Sequence, residues 1–143
     1  MRPSLFLQAA LRLLFPLLLV TSGVVMWRGH QLPGGGFLGG LIASSALVLR
    51  ELAFARTTGL SFGALKLSPR YLIVGGLTLS ALSSLVAPLS GKEFMQGVWI
   101  YLPVIGDIGT PVAFDVGVYF TVIGVVSSIL LPLIQEAKVG AGD

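Results

Sequence analysis

Residues 29–40 read Gly29-His30-Gln31-Leu32-Pro33-Gly34-Gly35-Gly36-Phe37-Leu38-Gly39-Gly40. This stretch follows one long apolar run and opens a second, so its reading decides how the two are joined. Glycine fills six of the twelve positions, and the only histidine of the chain stands among them. Glycine permits sharp bends and close approach of backbones, while Pro33 fixes φ and has no N–H to donate. Such a segment turns and then enters a helix with no bulky side chain on its first turns.

Outward from this point the chain is apolar. Of its 143 residues 55% are hydrophobic and 10% charged, against about 25% charged in a soluble domain; the mean hydropathy is +0.94. This is the composition of an integral membrane protein. The absence of cysteine removes disulfides, thiolate chemistry and cysteine-held metals. One histidine and six acids leave little from which to build a metal site, and no cofactor or metal is expected. The net charge of +3 does not point to nucleic acid, because the basic residues form no dense cluster. In so apolar a chain they set topology.

Four apolar runs are long enough, or nearly so, to cross a bilayer as helices. The first covers about residues 5–27. Its Arg2 and apolar run resemble a signal peptide, but Arg12 interrupts the run and Trp27-Arg28-Gly29-His30 offers no small-residue cleavage site. It is therefore read as a retained span. Two readings of Arg12 stand: it snorkels to the near interface, or it pairs with a neighbouring subunit. Pro16 is expected to bend this helix. The second span, about 33–49, looks short and is expected to start below the surface after a re-entrant turn, which irregular backbone tolerates only where protein shields it. Gly35 and Gly39, and Gly36 and Gly40, are four apart and suit close helix packing.

Residues 50–70 are the most basic part of the chain, read as a surface loop with a short amphipathic piece near Phe62 to Leu67. The third span, about 71–89, is uncharged and rich in Gly and Ser, and Pro88 and Gly91 stop it. Residues 91–111 do not span. Val98-Trp99-Ile100-Tyr101-Leu102 reads as a small strand or hairpin at the interface, with Pro103 ending it and Gly106-Asp107 supplying turn chemistry. The fourth span, about 112–134, carries Asp115 near its start and a small-residue stripe of Gly117, Thr121, Gly124 and Ser128. Pro132 and the polar Gln135-Glu136-Ala137-Lys138 are expected to end it. The fold class is thus all-α, integral to the membrane, with four transmembrane helices in a single domain over 1–143 and a short β-like loop on the outer side between the third and fourth.

Arg2, Arg12, Arg50, Arg56, Lys66, Arg70 and Lys138 fall on one side of this arrangement, and only Arg28 and Lys92 on the other. The positive-inside rule then puts both termini in the cytoplasm. Gly34-x-Gly36-x-x-Gly39 matches the dinucleotide fingerprint in letters. A membrane span rather than a strand precedes it, and the next acid, Glu51, is at the wrong distance. Close helix packing accounts for the same glycines. For Asp115 two readings stand: a structural carboxylate at a helix start or subunit contact, or a group in an ion path. His30 is either a hydrogen-bonding residue at a turn or a proton relay. No span carries an ionisable group near its middle, which argues against a self-sufficient ion carrier.

Two segments resemble the signatures of a known family. Residues 29–40 are similar to the GH-x-x-PGGGF-x-GG motif of the MnhB/MrpB family. Gly109-Thr110-Pro111-Val112-Ala113-Phe114-Asp115-Val116-Gly117-Val118-Tyr119 is similar to its GTP-x-x-FD-[IV]-GVY motif. The resemblance implies a non-enzymatic small membrane subunit, of the MnhB/MrpB type, in a multisubunit Na⁺/H⁺ (Mrp) antiporter of the cell membrane. Its partners would be other Mrp-type subunits, membrane lipid, Na⁺ and H⁺, with no nucleic acid. A related ion-pumping hydrogenase or complex I-like redox complex is one alternative, and an independent homo-oligomeric transporter another. His30, Pro33, Phe37 and Asp115 become candidates for the ion path or another function. Gly35, Gly36, Gly39, Gly40, Gly117 and Gly124 become candidates for helix packing.

Overall fold

The computed structural model describes residues 5–29, 34–54, 60–62, 65–89, 91, 93, 97–102 and 106–140. Four helices dominate: α1 (Leu5–Arg28), α2 (Gly35–Phe54), α3 (Pro69–Leu89) and α4 (Thr110–Gly140). Each contains a stretch long and apolar enough to cross a membrane, and the protein is a multi-pass membrane protein. Two short antiparallel hairpins join them. Strands β1 (Leu60–Phe62) and β2 (Leu65–Leu67) lie between α2 and α3, and β3 (Trp99–Leu102) and β4 (Gly106–Gly109) between α3 and α4.

Helix bounds depart from the apolar runs where polar helix formers follow. Helix α2 does not stop at Leu49 but continues through Arg50-Glu51-Leu52-Ala53-Phe54 to 20 residues, about 30 Å at 1.5 Å per residue. A helix of that length reaches across the hydrocarbon unaided, so the expected shortness of the second span is corrected. Its proposed re-entrant start at Pro33 lies outside the described residues. Helix α4 likewise passes through Pro132 and the polar Gln135 to Lys138 segment and ends at Gly140. Gln, Glu, Ala and Lys are good helix formers, and leaving the bilayer does not oblige the helix to end. Pro16 sits inside α1. Pro69 opens α3, where its missing N–H costs no hydrogen bond. The short piece expected near Phe62 to Leu67 falls in the first hairpin, with Phe62 opposite Leu65.

In the second hairpin, Gly106 and Asp107 belong to the strand β4, opposite Leu102 and Tyr101. The expectation that they form the turn is corrected. Thr110 N–H donates to Val98 O at 3.0 Å, and Val98 N–H donates to Thr110 Oγ1 at 3.2 Å. The hairpin therefore runs straight into α4 and satisfies groups at its start.

The helices pack in the order α1–α2–α4–α3, as a layer with α1 and α3 at its edges. Helices α2 and α4 run parallel: Gly36 lies against Asp115 and Gly40 against Val122. Helices α1 and α3 run opposite to them, as Gln8 meets Ala53 and Gly124 meets Ile73. The core is a thin seam of Ala43, Leu47, Leu72, Ile123 and Leu131, with Phe15, Leu19 and Tyr119 packed on it. Small side chains make so thin a seam possible: Ala43, Ala46, Ser44 and Ser127 are wholly buried. Large apolar side chains point outward along all four helices, among them Leu13, Leu17, Tyr71, Leu82 and Ile129. Outward apolar side chains suit lipid or other membrane helices.

Candidate functional site

The two signature segments, some 80 residues apart in sequence, meet at one end of the layer. Helix α2 starts there. Gly34 has φ +141° and Gly35 φ +49°, conformations that side-chain-bearing residues rarely adopt. A Cβ added at Gly35 would lie 2.9 Å from Asp115 Oδ1 and 3.1 Å from Oδ2. The Asp115 carboxylate, from the second turn of α4, is thus set beside the first residue of α2. Gly29, at the end of α1, is packed directly on Gly35.

Asp115 is too far along α4 to serve that helix's own first turn, which contains no acid. It lies instead at the positive end of a different helix, where unpaired N–H groups and the macrodipole favour a carboxylate. Asp115 is half-buried, while Phe37, two residues into α2, is largely exposed. His30 and Pro33 lie outside the described residues.

The glycines of α2 serve two different neighbours. Gly36 abuts the backbone carbonyl of Asp115, and Gly40 faces Val122 and the Tyr119 carbonyl of α4. Gly39 faces α1, where a Cβ would come within 2.9 Å of Ser22 O and 3.1 Å of Met26 Cβ. On the far side of α4, Gly117 lies against Ser80 and Gly76 of α3, and Gly124 against Ile73 and Pro69. The stripe of α4 therefore turns toward α3, while its Asp115-Tyr119-Val122 face turns toward α2.

One polar link crosses three helices. Ser22 Oγ, wholly buried, donates to Gly39 O at 2.8 Å and lies 2.8 Å from Tyr119 Oη. Since the single Ser22 proton is engaged by the carbonyl, Tyr119 is the donor to Ser22. Tyr119 closes the second signature segment and Gly39 nearly closes the first, so this link joins both motifs through α1. Sequence reasoning passed over Ser22 because a lone serine in an apolar run carries no periodic signal. Ser80, one of the small residues of the third span, donates its hydroxyl to Phe114 O at 3.2 Å beside Asp115.

The fold and this junction define a small multi-pass membrane protein whose two glycine-bearing motifs build one helix contact. The chain belongs to the MnhB family: the family model described as "Domain related to MnhB subunit of Na+/H+ antiporter" matches residues 6–128. Proteins of Staphylococcus aureus strains Newman and USA300 named antiporter subunit mnhB2 are 36% identical over 132 residues, covering 89% of this chain and 92% of theirs. A chain in the structure of an Mrp complex from Dietzia sp. DQ12-45-1b superposes with TM-score 0.72 at 28% identity, over 86% of this chain. This chain spans 13% of that much longer one.

Proposed function

We propose that this protein is a small membrane subunit, not an enzyme, of a multisubunit Na⁺/H⁺ antiporter, in which larger partner subunits complete the ion path. The observation that carries the reading is the open α1–α2–α4–α3 layer. Among the described residues its one acid away from the polar ends of the α2 and α4 runs is Asp115, held at a helix start rather than in a polar conduit. A layer so arranged offers two apolar faces for other membrane helices and, among the described residues, no ion pathway of its own. The names of the relatives favour an antiporter over a redox complex.

Within that assembly, Asp115 positions the start of α2, Gly36 and Gly40 seat α2 on α4, and Gly117 and Gly124 seat α3. The chain lies in the cell membrane with the start of α1, the β1–β2 hairpin and the end of α4 toward the cytoplasm. Seven of its nine basic residues fall on that side.

Expression with the neighbouring antiporter subunits, followed by capture in mild detergent, tests the assembly. Recovery of the larger subunits is expected; a homo-oligomer that transports by itself would overturn the reading. The natural chain has no cysteine, so Lys66→Cys and Lys92→Cys report orientation without background. In intact cells an impermeant thiol reagent should label position 92 and spare position 66; the opposite pattern would invert the topology.

A further inference from the structure

We propose that the corner between the start of α3 and the second half of α4 holds the phosphate of an anionic phospholipid. Gly124 fixes this corner. A Cβ there would lie 2.9 Å from both Ile73 N and Pro69 O, so α4 packs on the first turn of α3 at that level. Helix α3 starts at Pro69, whereas α4 runs on from Gly124 to Gly140, about four turns further. The start of α3 therefore abuts the side of a continuing helix. A cavity of about 510 Å³ occupies the corner, lined by Ser68, Arg70 and Tyr71 on one side and Ser127, Ser128 and Gln135 on the other.

Two independent observations point to an anion. The corner receives the positive end of the α3 macrodipole, and Arg70, the serines and Gln135 bring hydrogen-bond donors to it. No carboxylate lines it among the described residues. The second observation is Ser127, which is wholly buried and whose Oγ has no hydrogen-bond partner among the described residues. Buried hydroxyls are nearly always paired, and the other serines of these two helices obey: Ser83 and Ser84 donate to Ser80 O, and Ser128 to Val125 O. A phosphate oxygen at the inner wall accepts from Ser127, while the exposed Arg70 meets the headgroup at the mouth. The membrane supplies the phosphate. The apolar stretch of α3 begins at Pro69 and that of α4 closes at Ala137, so the cavity sits where hydrocarbon gives way to headgroups. Tyr71, 73% exposed, suits that level, and Val74, Ile129 and Leu133 point outward on neighbouring turns, where acyl chains can lie. A choline headgroup would set a second cation beside Arg70, which favours phosphatidylglycerol over phosphatidylcholine. The site needs only that the chain sits in a membrane, so it stands apart from the antiporter assignment.

Native mass spectrometry of the delipidated full chain in mild detergent tests this, with dioleoylphosphatidylglycerol, dioleoylphosphatidylcholine and inorganic phosphate as probes. The natural chain should prefer the anionic lipid. Arg70→Gln should lower that preference about fivefold, whereas Arg12→Gln, which removes another exposed arginine at the same end of the molecule, should leave it unchanged. Ser127→Ala should weaken binding of the anionic lipid about fivefold without lowering the Tm of the lipid-free chain, because it deletes a hydroxyl that has no partner there. If Ser127→Ala does not purify, the exposed Arg70→Gln carries the comparison with Arg12→Gln. Equal binding of the two lipids by the natural chain would overturn the proposal; a corner shaped for a neighbouring subunit would give that result. Unchanged lipid binding in Ser127→Ala, or an equal fall in Arg12→Gln and Arg70→Gln, would overturn it too, the latter marking a general attraction to basic residues. Displacement of the lipid by an equal concentration of inorganic phosphate would assign the corner to a free anion and rule out the lipid.

Discussion

Helix α4 packs against two neighbours in two different ways. On the α3 side, small residues stand on both helices: Gly76 meets Thr121 and Gly117, and Gly117 meets Ser80 and Gly76. On the α2 side only α2 contributes glycines, and α4 answers with Asp115, Tyr119 and Val122. In the reciprocal seam, approach is set by backbone against backbone. In the one-sided seam, Gly36 and Gly40 also meet backbone, the Asp115 and Tyr119 carbonyls, while Gly35 leaves room for the Asp115 carboxylate. The same residue type thus supports dense packing in one place and a polar junction in the other. Without a hydrophobic force between helices in lipid, both seams depend on close contact and interhelical hydrogen bonds.

The largest effects should come from filling a backbone contact. Gly36→Leu and Gly117→Leu each set a side chain against a neighbouring backbone that cannot swing aside. Each should destabilise the protein by about 2 kcal/mol or more, on the scale of overpacked cores. Thermal aggregation in detergent and complex yield on a native gel would register it. Gly75→Leu is the matched control, since a Cβ there meets nothing within 4 Å. If Gly75→Leu is as damaging as Gly117→Leu, close packing in the seam is not what the larger side chain disrupts.

Next comes the carboxylate. If Asp115 holds the start of α2, Asp115→Asn should keep assembly and most Na⁺-dependent proton movement, because an amide oxygen still accepts from a helix start. Asp115→Leu should lose assembly. Proton flux in everted vesicles, read beside complex yield, decides between this role and an ion path. Normal assembly with abolished flux in Asp115→Asn would move Asp115 into the path and make the one-sided seam a transport site.

The smallest effects belong to the polar link. Ser22→Ala and Tyr119→Phe should each cost about 0.6–1.7 kcal/mol, the range of interhelical hydrogen bonds in membranes. The double variant should cost less than the sum, because both remove one shared contact. Full additivity in thermal denaturation would mean that the two side chains do not act together, and the one-sided seam would lose its polar character.

Composition and the four apolar runs were enough to state the class of fold and the number of helices, and the resemblance of the two signature segments was enough to state the family. Hydropathy is summed along the chain and needs no partner to be legible, and the two signature segments are contiguous. Helix ends were less legible. Residues 50–54 of α2 and 135–140 of α4 are polar enough to look like loops, yet they keep helical hydrogen bonds after the apolar run ends. The order of packing was not legible at all. Glycine spacing in α2 marked a close approach but not its direction, and only the fold assigned Gly39 to α1 and Gly36 and Gly40 to α4. Nor did the position of Asp115 in its own helix reveal that its carboxylate lies beside the start of a helix about 80 residues earlier. Local propensity and hydropathy act within one segment and were readable from it. The junction of the two motifs and the buried role of Ser22 arise from contacts between segments, which only the packed structure decides.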